Sequence, residues 1–165
     1  MKTYHFEKII LSSFLLGISQ VSWAAPCDQT LNPGANLASA VSSAPNGSTI
    51  CLNSGDYGYV ELNNSARTGY VTLTSVNNNG ARMSPQVGRS SFIRLENLTL
   101  TGVLINNNSS NIQLVNSVFL PNQSGLAVVD SRNILIDNVD FSYVNQATWA
   151  GRLNLNNATN SIVRN

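Results

Sequence analysis

Charge is scarce in this sequence, and what charge there is cancels. Only 10% of the 165 residues are Asp, Glu, Lys or Arg, and there is a single histidine. Lys2, His5 and Lys8 all fall at the very start, so from residue 26 onward seven arginines face seven carboxylates and no lysine or histidine remains. Without a basic stripe the chain lacks the electrostatic footprint of a nucleic-acid binder. Without histidine, and with Met83 as its one methionine after the start, it has no donor set for copper or another transition metal. Long apolar runs are missing too. Ile9 to Ile18 is mostly apolar but stays under the roughly 20 residues that a membrane-spanning helix needs.

That short run is read instead as the centre of a secretory signal peptide over residues 1–25. Lys2 and Lys8 supply the basic start, and Ala24-Ala25 a small-residue cleavage site. Pro26 stands before Cys27 where a lipoprotein would carry a small residue, so lipid attachment is not expected. The chain is therefore expected to be secreted or periplasmic, with residues 26–165 forming one domain. In that setting Cys27 and Cys51, the only cysteines, are expected to form a disulfide. A loop of that size contributes about 3 kcal/mol in the chain-entropy model. A zinc-type site is the weaker reading, because no further cysteine or histidine can complete it.

What the sequence has in abundance is asparagine, set in a repeat. Ser91–Leu100, Asn111–Phe119 and Asn133–Phe141 align so that Asn97, Asn116 and Asn138 fall in one column. Four residues earlier the column reads Ile93, Ile112, Ile134, and two earlier Leu95, Leu114, Ile136. Three residues later it reads Leu100, Phe119, Phe141. Alternating apolar residues recurring at this interval predict stacked coils. Asparagine suits the turn of each coil because it tolerates a left-handed backbone at low cost, and stacked amides can bond from coil to coil.

Each rung divides into three strands, the third being Val103-Leu104-Ile105, Leu126-Ala127-Val128 or Leu153-Asn154-Leu155. Gly102, Gly125 and Gly151 closely precede them. Shorter alternating strands are expected at Thr49–Leu52, Tyr59–Leu62 and Val71–Thr74, with turns at Asn53–Asp56 and Asn77–Gly80. Gly34–Ala44 places Leu37, Ala38 and Val41 on one side and predicts a short helix that Pro45-Asn46-Gly47 ends. Such a helix would cover the open end of the first coil.

The segment Ala44–Tyr57 is similar to the Gly-x-Thr-Ile-x-Leu-x-x-Gly-x-Tyr opening of the pectate-lyase-like superfamily, and the asparagine ladder resembles its rungs. The resemblance covers essentially all of Cys27–Asn165. It implies an all-β, right-handed parallel β-helix, with a cap over 26–48 and coils over 49–165. It also implies a polysaccharide partner on the outer face of the third strands, although the fold hosts lyases, hydrolases, epimerases and non-catalytic adhesive proteins alike.

Carried onto these residues, the outward columns are Leu104, Ala127, Asn154 and then Asn106, Val129, Asn156, with Asn107, Asp130 and Asn157 beginning the turn. Tyr143 and Trp149, in the longer loop before Arg152, are candidate stacking residues beside Asn154 and Asn156. The plainer reading is that they pack the loop onto the coils. The carboxylates do not gather: Glu96 and Asp137 precede the asparagine turn and Asp140 projects from another strand, which disfavours a hydrolase. For β-elimination Arg152 is the candidate base and Asp130 a candidate ligand for calcium, a cation that wants several oxygens. Otherwise Asp130 simply caps the turn Asp130–Asn133. The best reading is an exported protein acting on or binding acidic polysaccharide, the alternative a non-catalytic glycan-binding, adhesin-type or structural β-helix. Asn160–Asn165 begins another rung, so the chain is read as truncated there, the alternative being an end covered by another chain.

Overall fold

A computed structural model of the chain describes residues 26–142 and 153–164. In chain order the described elements are β1 (Gln29–Leu31), α1 (Leu37–Ser43), β2 (Thr49–Leu52), β3 (Gly55–Glu61), β4 (Val71–Ser75), β5 (Ala81–Gly88), β6 (Ser91–Glu96) and β7 (Thr99–Leu100). They continue with β8 (Val103–Asn106), β9 (Ser110–Val115), β10 (Val118–Phe119), β11 (Leu126–Asp137), β12 (Leu153–Thr159) and β13 (Ile162–Arg164). All the strand pairings are parallel, and each joins one coil to the next. From β2 onward, parallel pairing with no helix between the described strands requires the chain to wind. The fold is an all-β parallel solenoid of about five turns.

Three sheets line the coil. The first runs β1, β2, β4, β6, β9, the second half of β11, and β13. The second holds the starts of β3 and β5, then β7 and β10. The third holds the ends of β3 and β5, then β8, the first half of β11, and β12. The apolar columns expected from the repeat are direct neighbours: Ile93, Ile112 and Ile134 are in register, as are Leu95, Leu114 and Ile136, and all are shielded from solvent. The rings of Phe119 and Phe141 stack with centroids 4.9 Å apart. Removing each such side chain from water contributes about 1.5–3 kcal/mol, and this interior holds the coils together.

Corners, where the chain passes between sheets, are made by residues in the left-handed region. Among the described residues fifteen non-glycine residues have positive φ, and thirteen of them are Asn or Asp. Asn97, Asn116 and Asn138 have φ of 55°, 49° and 51°, in one column as expected. Asn138 donates its amide to Asn116 Oδ1 at 2.9 Å, but Asn116 donates to Glu96 Oε1 and Asn97 to Thr74 Oγ1. The ladder is thus one amide–amide step continued by other acceptors. The turn expected to begin at Asn107, Asp130 and Asn157 forms a second corner, where each of these residues has positive φ. Asn64, Arg89, Asn108 and Asp130 have positive φ, and each precedes a buried serine, Ser65, Ser90, Ser109 or Ser131. Ser90 Oγ accepts from Ser65 N, and Ser109 Oγ accepts from Ser90 N, so hydroxyls satisfy the buried backbone that the bend leaves unpaired.

One end of the solenoid is sealed. Asn36 Oδ1 accepts from Ser39 N at 2.9 Å and starts α1, whose Leu37 and Val41 are buried one turn apart on the first coil. Arg67 donates to the carbonyl oxygens of Ala44 and Val41, at the C-terminal end of α1 where partial negative charge collects. Cys27 and Cys51 form the expected disulfide, with Cα atoms 5.6 Å apart. At the far end β12 and β13 pair with β11 and leave Leu155, Ile162 and Val163 exposed.

Two strands were not foreseen. β1 is short and mostly exposed. β5 contains Pro85, which argues against a central strand because it cannot donate to the ladder. Yet Ala81, Met83, Pro85 and Val87 alternate inward, and Pro85 sits where the neighbour changes from β7 to β8. Met83 pairs with Leu100 and Gln86 with Leu104, so the missing donor falls where the ladder is already interrupted.

Candidate functional site

The outer face of the third sheet is built by alternation. Val60, Val87, Ile105 and Val128 face the interior, which turns the positions before and after each of them to the outer side, although Gly88 and Ala127 there are themselves covered. Glu61, Gln86, Leu104, Ala127 and Asn154 form one outward row, each in register with the next. Gly88 and Asn106 lead to the second row, in which Val129 pairs with Asn156. The expected columns of Leu104, Ala127 and Asn154, and of Val129 and Asn156, are therefore present.

Within the first row lies a shallow trough of about 150 Å³. Gln86, Gly102 and Leu104 line it, the buried Pro85 and Ala127 are also among its lining, and Tyr59 stands at one end. Gly102 keeps it open: a Cβ there would meet Ser124 Cβ at 3.3 Å and Ser84 Oγ at 3.5 Å. Tyr59 is 60% exposed, the most exposed of the large apolar and aromatic side chains described. Its hydroxyl donates to Gln86 Oε1, with Glu61 Oε1 3.3 Å away. That tie sets the ring's orientation while leaving its face open. Partial desolvation, with the Glu61 carboxylate beside it, holds the phenol above its ordinary range, so the proton stays on. Tyr57, two residues earlier, differs. Its hydroxyl donates to the Leu31 and Asn53 carbonyls and it is half-buried. Tyr59 was not singled out from the sequence. Its signal was the alternation itself, since a buried Val60 turns Tyr59 outward.

Asp130, Asn154 and Asn156 also reach this sheet. Asp130 lies in the serine corner with φ of 46°, and its Oδ1 accepts from Asn157 Nδ2 at 2.8 Å. A second, more polar recess of about 210 Å³ lies there, lined by Asn108, Asp130, Arg132, Asn157 and Thr159 among others. Tyr143, Trp149 and Arg152 lie outside the described residues. Among the described residues no three His, Cys, Asp or Glu side chains group closely enough to hold a metal ion. For calcium, Asp130 offers one carboxylate and Asn157 one amide, short of the six to eight oxygens that ion takes. No described helix is long and apolar enough to cross a membrane. Comparison with family models, curated proteins and solved structures finds no match, so the reading of this face rests on its own chemistry.

Proposed function

We propose that this chain is an exported, right-handed β-helix protein of the pectate-lyase-like kind that binds polysaccharide along the outer face of its third sheet. The observation that carries the reading is the trough beneath Tyr59: an oriented, exposed ring at the end of an uncharged floor edged by Gln86, Ser84 and Ser124. Sugar rings present a C–H face and a rim of hydroxyls, and an aromatic face beside amide and hydroxyl groups answers both. The trough crosses β3, β5, β8 and β11, about 14 Å at the spacing of parallel strands. A ligand chain in it would lie along the solenoid axis.

Binding without hydrolysis is favoured by where the carboxylates stand. Glycosidases hold two about 5–9.5 Å apart. Glu61 on β3 and Asp130 on β11 are three strand spacings apart, about 14 Å even before their offset along the strands. Asp130 is also engaged as a corner residue by Asn157. β-elimination would need Arg152 as base and a better cation site than Asp130 supplies.

Affinity electrophoresis of the full chain through gels containing pectate, alginate, xylan or mannan tests the reading. At least one polymer should retard the protein. Tyr59→Ala should weaken that retardation roughly threefold to tenfold, and Tyr59→Phe should retain most of it. No retardation in any gel, or equal retardation of wild type and Tyr59→Ala, overturns the proposal. Release of unsaturated products, seen by ultraviolet absorbance, would replace binding with lyase chemistry.

A further inference from the structure

The trough points to a neutral glycan, and we infer that its ligand is an uncharged pyranose oligomer rather than a uronate; the inference rests on the glycan-binding reading above and narrows it. Three observations converge. None of the described residues lining the trough is charged. The charged group at its aromatic end has the wrong sign for an acidic sugar: Glu61 Oε1 is 3.3 Å from the Tyr59 hydroxyl, on the same outward row as Gln86 and Leu104. The arginine of β5 is already committed, because Arg82 Nη2 donates to Asp56 Oδ2 at 2.5 Å.

A uronate carboxylate needs a cation or several N–H donors where it docks. The trough supplies a ring face, a glutamine amide and two serine hydroxyls instead. Burying a carboxylate against Leu104 would strip its water without replacement, while Glu61 repels it. A neutral ring loses little on the same floor, and its hydroxyls can donate to Glu61 and Gln86. The shape agrees. At about 150 Å³ the trough is below the range of pockets that enclose a ligand, so it receives a ring lying flat.

Isothermal titration of the full chain tests this with xylo- and manno-oligosaccharides against oligogalacturonate and oligoalginate of equal length, at low and high salt. The neutral oligomers should bind at least tenfold more tightly, with little dependence on salt. Glu61→Gln should narrow the gap by raising uronate affinity roughly twofold to fivefold at low salt. Uronate binding equal to or tighter than neutral binding, lost in Tyr59→Ala, overturns the inference and leaves the glycan reading standing. Binding of neither class overturns both.

Discussion

The outer faces of the first and third sheets share one backbone plan and differ in what their side chains do. On the first, Arg94 holds Glu96 through Nε and Nη2, both at 3.0 Å, and reaches across to Gln113 Oε1 at 2.8 Å. Asn116 adds a bond to the same carboxylate, and Arg164 takes Asp137 at 2.7 Å. Polar groups there find partners along the coil or in the next one. On the third face the trough floor is uncharged and Tyr59 stands exposed above it. A solenoid repeats its backbone once per coil, yet leaves each outward row free to carry its own chemistry. A face whose charges are mutually satisfied gains little from a ligand, whereas an oriented ring over an apolar floor gains by being covered.

The largest effects should come from beneath both faces, where the comparison predicts no difference. Leu95 lies under the first sheet and Ile105 under the third, and neither has any exposed surface. Leu95→Ala and Ile105→Ala should each cost about 2–5 kcal/mol in chemical denaturation. A large disparity between them would break the comparison, because it would place the asymmetry in the interior instead of in the outward rows.

Interior and corner were legible in the sequence for the same reason. The columns of Ile93, Leu95 and Asn97 recur because each coil must fill the same volume and turn in the same place. The Cys27–Cys51 bond and the capping helix could be read from local chemistry alone. Outward chemistry has no period, and it was read less completely. Asn154 and Asn156 pair with Ala127 and Val129 in the register the repeat predicts, but Tyr59 carries no repeat signal because the first coils precede the regular rungs. β5, which supplies Ser84 and Gln86 to the trough, is hidden in the sequence by Pro85. A proline is a poor strand residue in general and is harmless where the ladder changes partner. Arg67 gave no signal, since its targets are backbone carbonyls of a helix some 23 residues earlier.

Corner residues come next in size. Asn116 has φ of 49°, and an alanine there would hold a left-handed conformation that costs about 1–2 kcal/mol. Asn116→Ala should be destabilised by that amount and Asn116→Gly by less, as thermal unfolding would record. On the third face Asp130→Asn keeps both the corner conformation and an oxygen for Asn157, so its stability and glycan retention should stay near wild type. Loss of retention in Asp130→Asn, with folding intact, would move the binding site from the Tyr59 trough toward the polar recess.

The smallest effect is electrostatic, and it bears on which ligand charge the third face can accept. Asp137 is held below its ordinary 3.8 by the hydrogen bond from Arg164, and Asp56 is held below it first by Arg82 and then by the Gly58 N–H. A carboxyl depressed in the folded state stabilises fully above its unfolded value, and that stabilisation disappears as pH falls through the folded value. Both pairs therefore act above about pH 4 and are lost below it. Both lie at the surface, so unfolding midpoints should barely move, and carboxyl NMR titration is the measurement that can see them. Asp137 should titrate below 3.8 and return toward it in Arg164→Ala, as should Asp56 in Arg82→Ala. The Asp56 result matters more. Arg82 shares a strand with Pro85 and Gln86, and a normal Asp56 midpoint would mean that its guanidinium is free. A free guanidinium on that strand would remove one of the three grounds for excluding a uronate, whereas a depressed midpoint keeps that cation occupied and the trough suited to a neutral ring.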